Sequence, residues 1–172
     1  MSHPDEAPTA APQRGWPVVL LLSGPNLDLL GTRQPAVYGT ETLEDHVATA
    51  RAAATARSLR LEHVQSNAEA DLVEAVHGAR GRTAAIVVNA GALTHYSWSL
   101  ADALAAYEGV VVELHLSNPA AREAWRHTSV VAPVANGSIV GFGGLGYHLA
   151  LEAVAALLVR AVSRERPEGD WR

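Results

Sequence analysis

Glu113 and His115 stand two residues apart in the apolar run Val110 to Leu116, a spacing that suits proton transfer. Side chains alternate along a strand, so Glu113, His115 and Ser117 share one face while Val112, Leu114 and Leu116 take the other. A carboxylate in a buried strand is costly unless it is paired. One that accepts from one imidazole nitrogen fixes the tautomer and raises the basicity of the other. That arrangement suits a general acid, and the same spacing also fits a satisfied buried pair with no catalytic role.

A second concentration of chemistry is the stretch Ser23 to Gly39, SGPNLDLLGTRQPAVYG, which carries Asn26, Arg33 and Tyr38 with no hydrophobic period. Long connections that hold such unlike groups usually have a function. Gly24-Pro25, Gln34-Pro35 and Gly39 equally mark an ordinary turn-rich loop. His95 and Asp102 lie seven residues apart across the start of a helical stretch, which gives nearly one azimuth but a separation of about 10 Å along the axis. They cannot grip one small group together. They could line two adjacent sites, one of them in a neighbouring subunit, although a capping histidine and a solvated aspartate fit the spacing better. His46, His63, His77 and His148 show no metal-ligand spacing, so no metal is expected.

These groups need elements to position them. Pro17 to Leu22 is a continuous apolar run of the kind buried on both sheet faces. Thr42 followed by Asp45 forms a capping signature, and Leu43, Val47, Ala50 and Ala54 continue it as a helix to Ser58. Further strands are expected at Leu59 to Gln65, Ala84 to Asn89, Val110 to Leu116 and Ser138 to Val140. Helices are expected at Glu69 to Ala79, at Ser97 to Ala106 with Leu100, Leu104 and Ala105 inward, and at Tyr147 to Val162. Strands alternating with helices of this length call for a doubly wound α/β fold, a five-stranded parallel sheet with helices on both faces. Ligands of such sheets sit beyond the carboxyl ends of the strands. Four of those ends carry polar side chains, at Ser23 to Asn26, Gln65 to Asn67, Asn89, and His115 to Asn118, which suggests one polar cleft; turn and cap preferences also explain each end singly.

Composition narrows the chemistry. The 172 residues suit one domain, expected over residues 17–163, with residues 1–16 as a disordered extension and 164–172 as a polar tail. There is no cysteine, which removes disulfides and thiolate nucleophiles. All 13 basic residues are arginine. Without lysine there is no side-chain amine for a Schiff base and none for a P-loop. A net charge of −5 with scattered arginines argues against nucleic acid as a partner. No apolar run approaches the roughly 20 residues that span a bilayer, so a cytoplasmic protein with no membrane partner is expected. Gly141-Phe-Gly143-Gly144-Leu-Gly146 matches the dinucleotide fingerprint, but its acidic partner on a following strand is missing. Close packing of the last helix on the sheet is the expected reason for these glycines. A serine-hydrolase elbow, G-x-S-x-G, is absent.

Asn26, Arg33 and Tyr38, then Asn89-Ala-Gly-Ala-Leu-Thr-His95, then Glu113-Leu-His115-Leu-Ser117-Asn118 together resemble the type II 3-dehydroquinate dehydratases. The likeness runs from about Val18 to Leu158, with the GPNL and LGTRxPxxYG loop, QSN, NAGALTH, ELHLSN and the final glycine-rich motif in order. It implies a flavodoxin-like fold, no cofactor, trimers grouped into a dodecamer, and elimination of water from 3-dehydroquinate to 3-dehydroshikimate through an enolate. By position it makes Tyr38 the base and Arg33 the cation beside it on a lid closing about Gly31 and Gly39. Asn26 would hold a water on the enolate oxygen. His115, oriented by Glu113, would protonate the departing hydroxyl. Leu116 and Ser117 would hold the substrate carboxylate through their backbone, with Asn89, His95 and Arg126 on the ring hydroxyls and Asp102 reaching an adjacent subunit's site.

The physics agrees with the assignment of the base. A free phenol with a pKa of about 10 is only about 0.1% ionised at neutral pH, and a three-unit depression needs roughly 4 kcal/mol. A guanidinium about 4 Å away at an effective dielectric near 20 supplies about that much. Ser23, Asp28, Gln34, Ala120, Thr128 and Val130 to Ala132 depart from the family's usual residues, beside the carboxylate loop and subunit contacts. A non-catalytic flavodoxin-like ligand-binding module, or a paralogue dehydrating a related cyclic hydroxy-ketone, is the alternative.

Overall fold

The computed structural model describes residues 15–32 and 39–165. Five strands alternate with four α-helices in chain order: β1 (Val18–Ser23), α1 (Leu43–Thr55), β2 (Arg60–Gln65), α2 (Glu69–Ala79), β3 (Ala85–Asn89), α3 (Trp98–Ala105), β4 (Val110–His115), β5 (Gly137–Val140) and α4 (Leu145–Glu165). The strands form one sheet in the order β2-β1-β3-β4-β5, every neighbour parallel. This is the doubly wound, flavodoxin-like arrangement expected from the alternation.

Two apolar layers sandwich the sheet. Val19 and Leu21 of β1, Val87 of β3, and Val112 and Leu114 of β4 pack with Val47, Ala50 and Ala54 of α1 and with Tyr147, Leu151 and Val154 of α4. The intervening residues Leu20, Leu22, Ile86, Val88 and Val111 pack with Leu72 and Val76 of α2 and Leu100 and Leu104 of α3. Successive strand residues thus serve opposite layers, which is why these strands read as unbroken apolar runs.

Thr42 caps α1 as its sequence indicates: its hydroxyl accepts from the Asp45 amide, and the Asp45 carboxylate accepts from the Thr42 amide. Some details differ from expectation: α1 ends at Thr55, short of Ser58, and β4 ends at His115, short of Leu116. On α3 the inward alanine is Ala103, not Ala105, which is exposed. And α4 runs from Leu145 to Glu165, where Tyr147 to Val162 was expected. A Cβ on Gly146 would stand 2.8 Å from Leu114 Cδ1, and one on Gly144 2.8 Å from His46 Cε1. The glycine-rich stretch therefore serves helix packing. Arg33 and Tyr38 lie outside the described residues, as do residues 1–14 of the expected extension and 166–172 of the expected tail. Among the described residues, no helix is long and apolar enough to cross a membrane.

Candidate active site

Beyond the carboxyl ends of β1, β3 and β4 lies a cleft lined by Pro25, Asn26, Leu27 and Leu30, by Asn89, Gly91, Ala92 and His95, and by His115, Leu116, Ser117, Pro119, Arg122 and Arg126. The first group follows β1, the second follows β3 and the third follows β4. The sheet order makes β1 and β3 neighbours, so loops distant in sequence face each other. They meet backbone to backbone: the Gly24 amide donates to Asn89 O at 2.8 Å, and a Cβ on Gly24 would fall 2.5 Å from Ala90 O.

Asn26 sits three residues past the end of β1. Its φ of 65° is in the left-handed region, where asparagine is among the few tolerated side chains. Its amide donates to Asn67 Oδ1 at 2.7 Å, and Asn67 Nδ2 donates to Asp28 Oδ2 at 3.0 Å. The QSN segment after β2 therefore props the loop that carries Asn26.

His115 and Glu113 form the pair their spacing anticipates, with Nε2 3.1 Å from Oε1. Glu113 is 2% exposed and His115 8%. Burial pushes the Glu113 carboxyl up, but hydrogen bonds from His115, Ser129 and Ser138, with the His115 charge, outweigh it and hold the group below the usual carboxylate range. Glu113 is accordingly an acceptor, Nε2 of His115 is its donor, and Nδ1 is left for the cleft.

The wall from β3 is polar. Asn89 is 3% exposed and its Oδ1 accepts from the Gly91 amide at 3.3 Å. His95 Nδ1 donates to Thr128 O at 2.8 Å, which leaves Nε2 as an acceptor. Its ring meets Trp125 edge-on, with centroids 5.2 Å apart. The Arg126 guanidinium lies 4.0 Å from the Trp125 ring centroid, and its Nε donates to Glu123 Oε2 at 2.8 Å. An imidazole acceptor and an oriented guanidinium beside a buried amide suit a small polyhydroxylated ligand.

Of the residues singled out in sequence, Asn26, Asn89, His95, His115, Leu116, Ser117 and Arg126 converge on this cleft, with Glu113 directly behind His115. Asp102 does not join them: it is exposed on α3. The helical spacing applied to His95 and Asp102 fails, because His95 ends a separate 3-10 turn, Gly91–His95, and α3 starts afresh after its cap Ser97. Four contributors went unassigned in sequence. Arg122 lines the cleft, four residues before Arg126, and that shared arginine spacing was the available signal. Thr94 Oγ1 lies 3.5 Å from His115 Nε2 and could have been read from its place beside His95. Ser129 and Ser138 reach Glu113 through a loop and a strand register that sequence does not reveal.

Among the described residues, no group of three histidine, aspartate or glutamate side chains is placed to hold a metal ion. Burial pushes the Tyr147 phenol up to about 12, and burial also raises Tyr107. Neither is an available base. The fold and the cleft define a flavodoxin-like α/β protein arranged for acid–base chemistry on a small polar molecule.

Comparison with known proteins gives the family. The model for dehydroquinase class II matches residues 17–155. The 3-dehydroquinate dehydratase of Ruegeria pomeroyi is 56% identical over 140 residues, covering 81% of this chain and 94% of that protein. The 3-dehydroquinate dehydratase 2 of Pseudomonas aeruginosa is 54% identical over 137 residues, covering 80% and 93%. The crystal structure of type II dehydroquinase from Propionibacterium acnes superposes with a TM-score of 0.78 at 40% identity, over 81% of this chain and 96% of that one. The chain belongs to the class II dehydroquinase family.

Proposed function

We propose that this protein converts 3-dehydroquinate to 3-dehydroshikimate and water by elimination through an enolate. The observation that carries the reading is the Glu113–His115 pair, which engages Nε2 of a buried imidazole that itself lines the cleft, with Asn26, Asn89, His95 and Arg126 on its walls. Relatives at 56% and 54% identity bear the name of this activity.

In this reading Tyr38, ionised beside Arg33, removes the proton next to the ketone, and charge moves onto the carbonyl oxygen. A water held by Asn26 stabilises that enolate. Collapse of the enolate breaks the carbon–oxygen bond, the proton on His115 Nδ1 goes to the departing hydroxyl, and water leaves. Returning the Tyr38 proton to His115 resets the site. Support for Tyr38 comes by exclusion, since burial disfavours ionisation of Tyr107 and Tyr147, and Tyr96 is exposed outside the cleft lining. Leu116 and Ser117 hold the substrate carboxylate; Asn89, His95 and Arg126 hold the ring hydroxyls. No cofactor or metal takes part.

Asp102, exposed and outside the lining of its own cleft, reaches the site of an adjacent subunit in this reading, as the family resemblance implies. The same reading includes a dodecamer built of trimers, as the family resemblance implies, and a cytoplasmic location. The test is direct: purified protein given 3-dehydroquinate raises ultraviolet absorbance as the conjugated enone forms. Tyr38→Phe abolishes that rise while retaining substrate binding. A folded protein that binds 3-dehydroquinate without any rise overturns the reading in favour of a binding module. A rise only with other cyclic hydroxy-ketones favours a paralogous dehydratase.

A further inference from the structure

We propose that Ser129 and Ser138 are positioning residues that lock Glu113 as a two-sided acceptor and thereby fix the tautomer with which His115 faces the cleft. The proposal deepens the reading of His115 as the proton donor and rests on it for its kinetic consequence.

A serine hydroxyl has one proton and two acceptor lone pairs. Ser129 Oγ accepts from the Val131 amide at 3.1 Å and from the Ala132 amide at 2.9 Å. Both lone pairs are taken, so its proton points at the remaining partner, Glu113 Oε1, 2.6 Å away. Oε1 accepts there, and with the carboxyl held below its usual range by its three hydrogen bonds it does so as an ionised oxygen. His115 Nε2 reaches the same oxygen at 3.1 Å, and an oxygen committed to accepting needs a donor on that side too. The imidazole therefore keeps its proton on Nε2 in the neutral form, and Nδ1 is the atom that takes and delivers the catalytic proton.

Ser138 completes the constraint from the other side. It stands opposite Glu113 in the β4–β5 register, and its Oγ lies 2.7 Å from Oε2. With both carboxylate oxygens supplied by donors in a group only 2% exposed, the carboxylate stays in one orientation. The information that sets the histidine's tautomer thus lies in the turn Ser129 to Ala132 and in one residue of the edge strand.

The experiment compares Ser129→Ala and Ser138→Ala with Ser129→Thr and Ser138→Thr, which keep the hydroxyl. Ring nitrogen shifts of His115 are recorded on the free protein by nitrogen-15 NMR, and kcat and KM are measured separately. Recorded at a pH high enough to give the neutral imidazole, the spectra are expected to show the proton on Nε2 in the wild type and both threonine variants, with a mixture of tautomers in Ser129→Ala. It expects kcat to fall about tenfold in each alanine variant, the order set by one hydrogen bond to a charged group, while KM stays within about threefold. Ser138→Ala leaves the Ser129 turn intact, so it remains informative if Ser129→Ala does not fold. Unchanged ring shifts together with unchanged kcat in the alanine variants overturn the proposal, and so do threonine variants no better than alanine. The spectra need no substrate, so they test the tautomer lock even if 3-dehydroquinate proves to be the wrong substrate.

Discussion

Glu113→Gln isolates the charge behind His115 from the shape around it. The two side chains are nearly isosteric. The glutamine carbonyl can take the place of Oε1 and still accept from His115 and Ser129, while its amide faces Ser138, whose hydroxyl turns to accept. What is lost is one negative charge beside an imidazolium. With Nε2 3.1 Å from Oε1, the charge centres lie about 4 Å apart, worth roughly 4 kcal/mol at an effective dielectric near 20. Relaxation of the serines and of water in the open cleft reduces this to about 2 to 3 kcal/mol, a factor of about 30 to 150 in rate. The enone absorbance assay should record kcat down by about 100-fold with KM little changed, since Glu113 does not line the cleft. A kcat within about threefold of wild type refutes the reasoning, because the carboxylate would then be a packing residue. A second readout is stability. The folded carboxyl titrates below its unfolded value of about 4.3, so it stabilises the fold above that value and the benefit is lost as pH falls through the folded pKa. Glu113→Gln should flatten the melting temperature against pH in that acid window.

Three further outcomes follow from the geometry. Burial lowers the pKa of His46 from its ordinary 6.5, against the pull of Glu41 and Asp45; a neutral histidine favoured by the fold gives stability that is lost as pH falls below about 6.5. His46→Leu should therefore weaken the fall in melting temperature as pH drops below about 6.5, and an unaltered profile would place the acid sensitivity elsewhere. Gly24→Ala drives a Cβ to 2.5 Å from Ala90 O, a backbone atom with no side chain to yield; it should cost about 3 kcal/mol, read as a clear drop in melting temperature, and a wild-type value would contradict the packing. Arg126→Ala should raise KM about 10- to 100-fold through loss of a charge-assisted hydrogen bond, and an unchanged KM would remove Arg126 from substrate binding.

Most of the fold was legible because its signals are local. The apolar runs of β1 and β3, the Thr42–Asp45 capping box and the alternation of strand and helix each depend on a few consecutive residues, and all appear as read. The pairing of Glu113 with His115 was legible for the same reason, as a strand fixes where residues two apart point. The failures needed three-dimensional knowledge. His95 and Asp102 were placed on one helical azimuth because nothing in their spacing reveals that the backbone breaks at Tyr96 and restarts at Ser97. Ala105 was read inward on period alone, whereas the packed position is Ala103. Ser129 and Ser138 were silent because their meaning arises only once a loop and the β5 edge come against β4.

The strand order also bears on how the protein folds. Leu20 of β1 pairs with Glu62 on one side and with Ile86 on the other, so the centre of the sheet is closed by partners far along the chain. Such non-local pairing is slow, because loop-closure entropy is lost before the contacts compensate for it, whereas helices such as α1 form from neighbours in sequence. The cleft has no walls until β1, β3 and β4 are in register. During refolding, helical circular dichroism should recover first and turnover last, which makes activity a reporter of the completed sheet rather than of compaction.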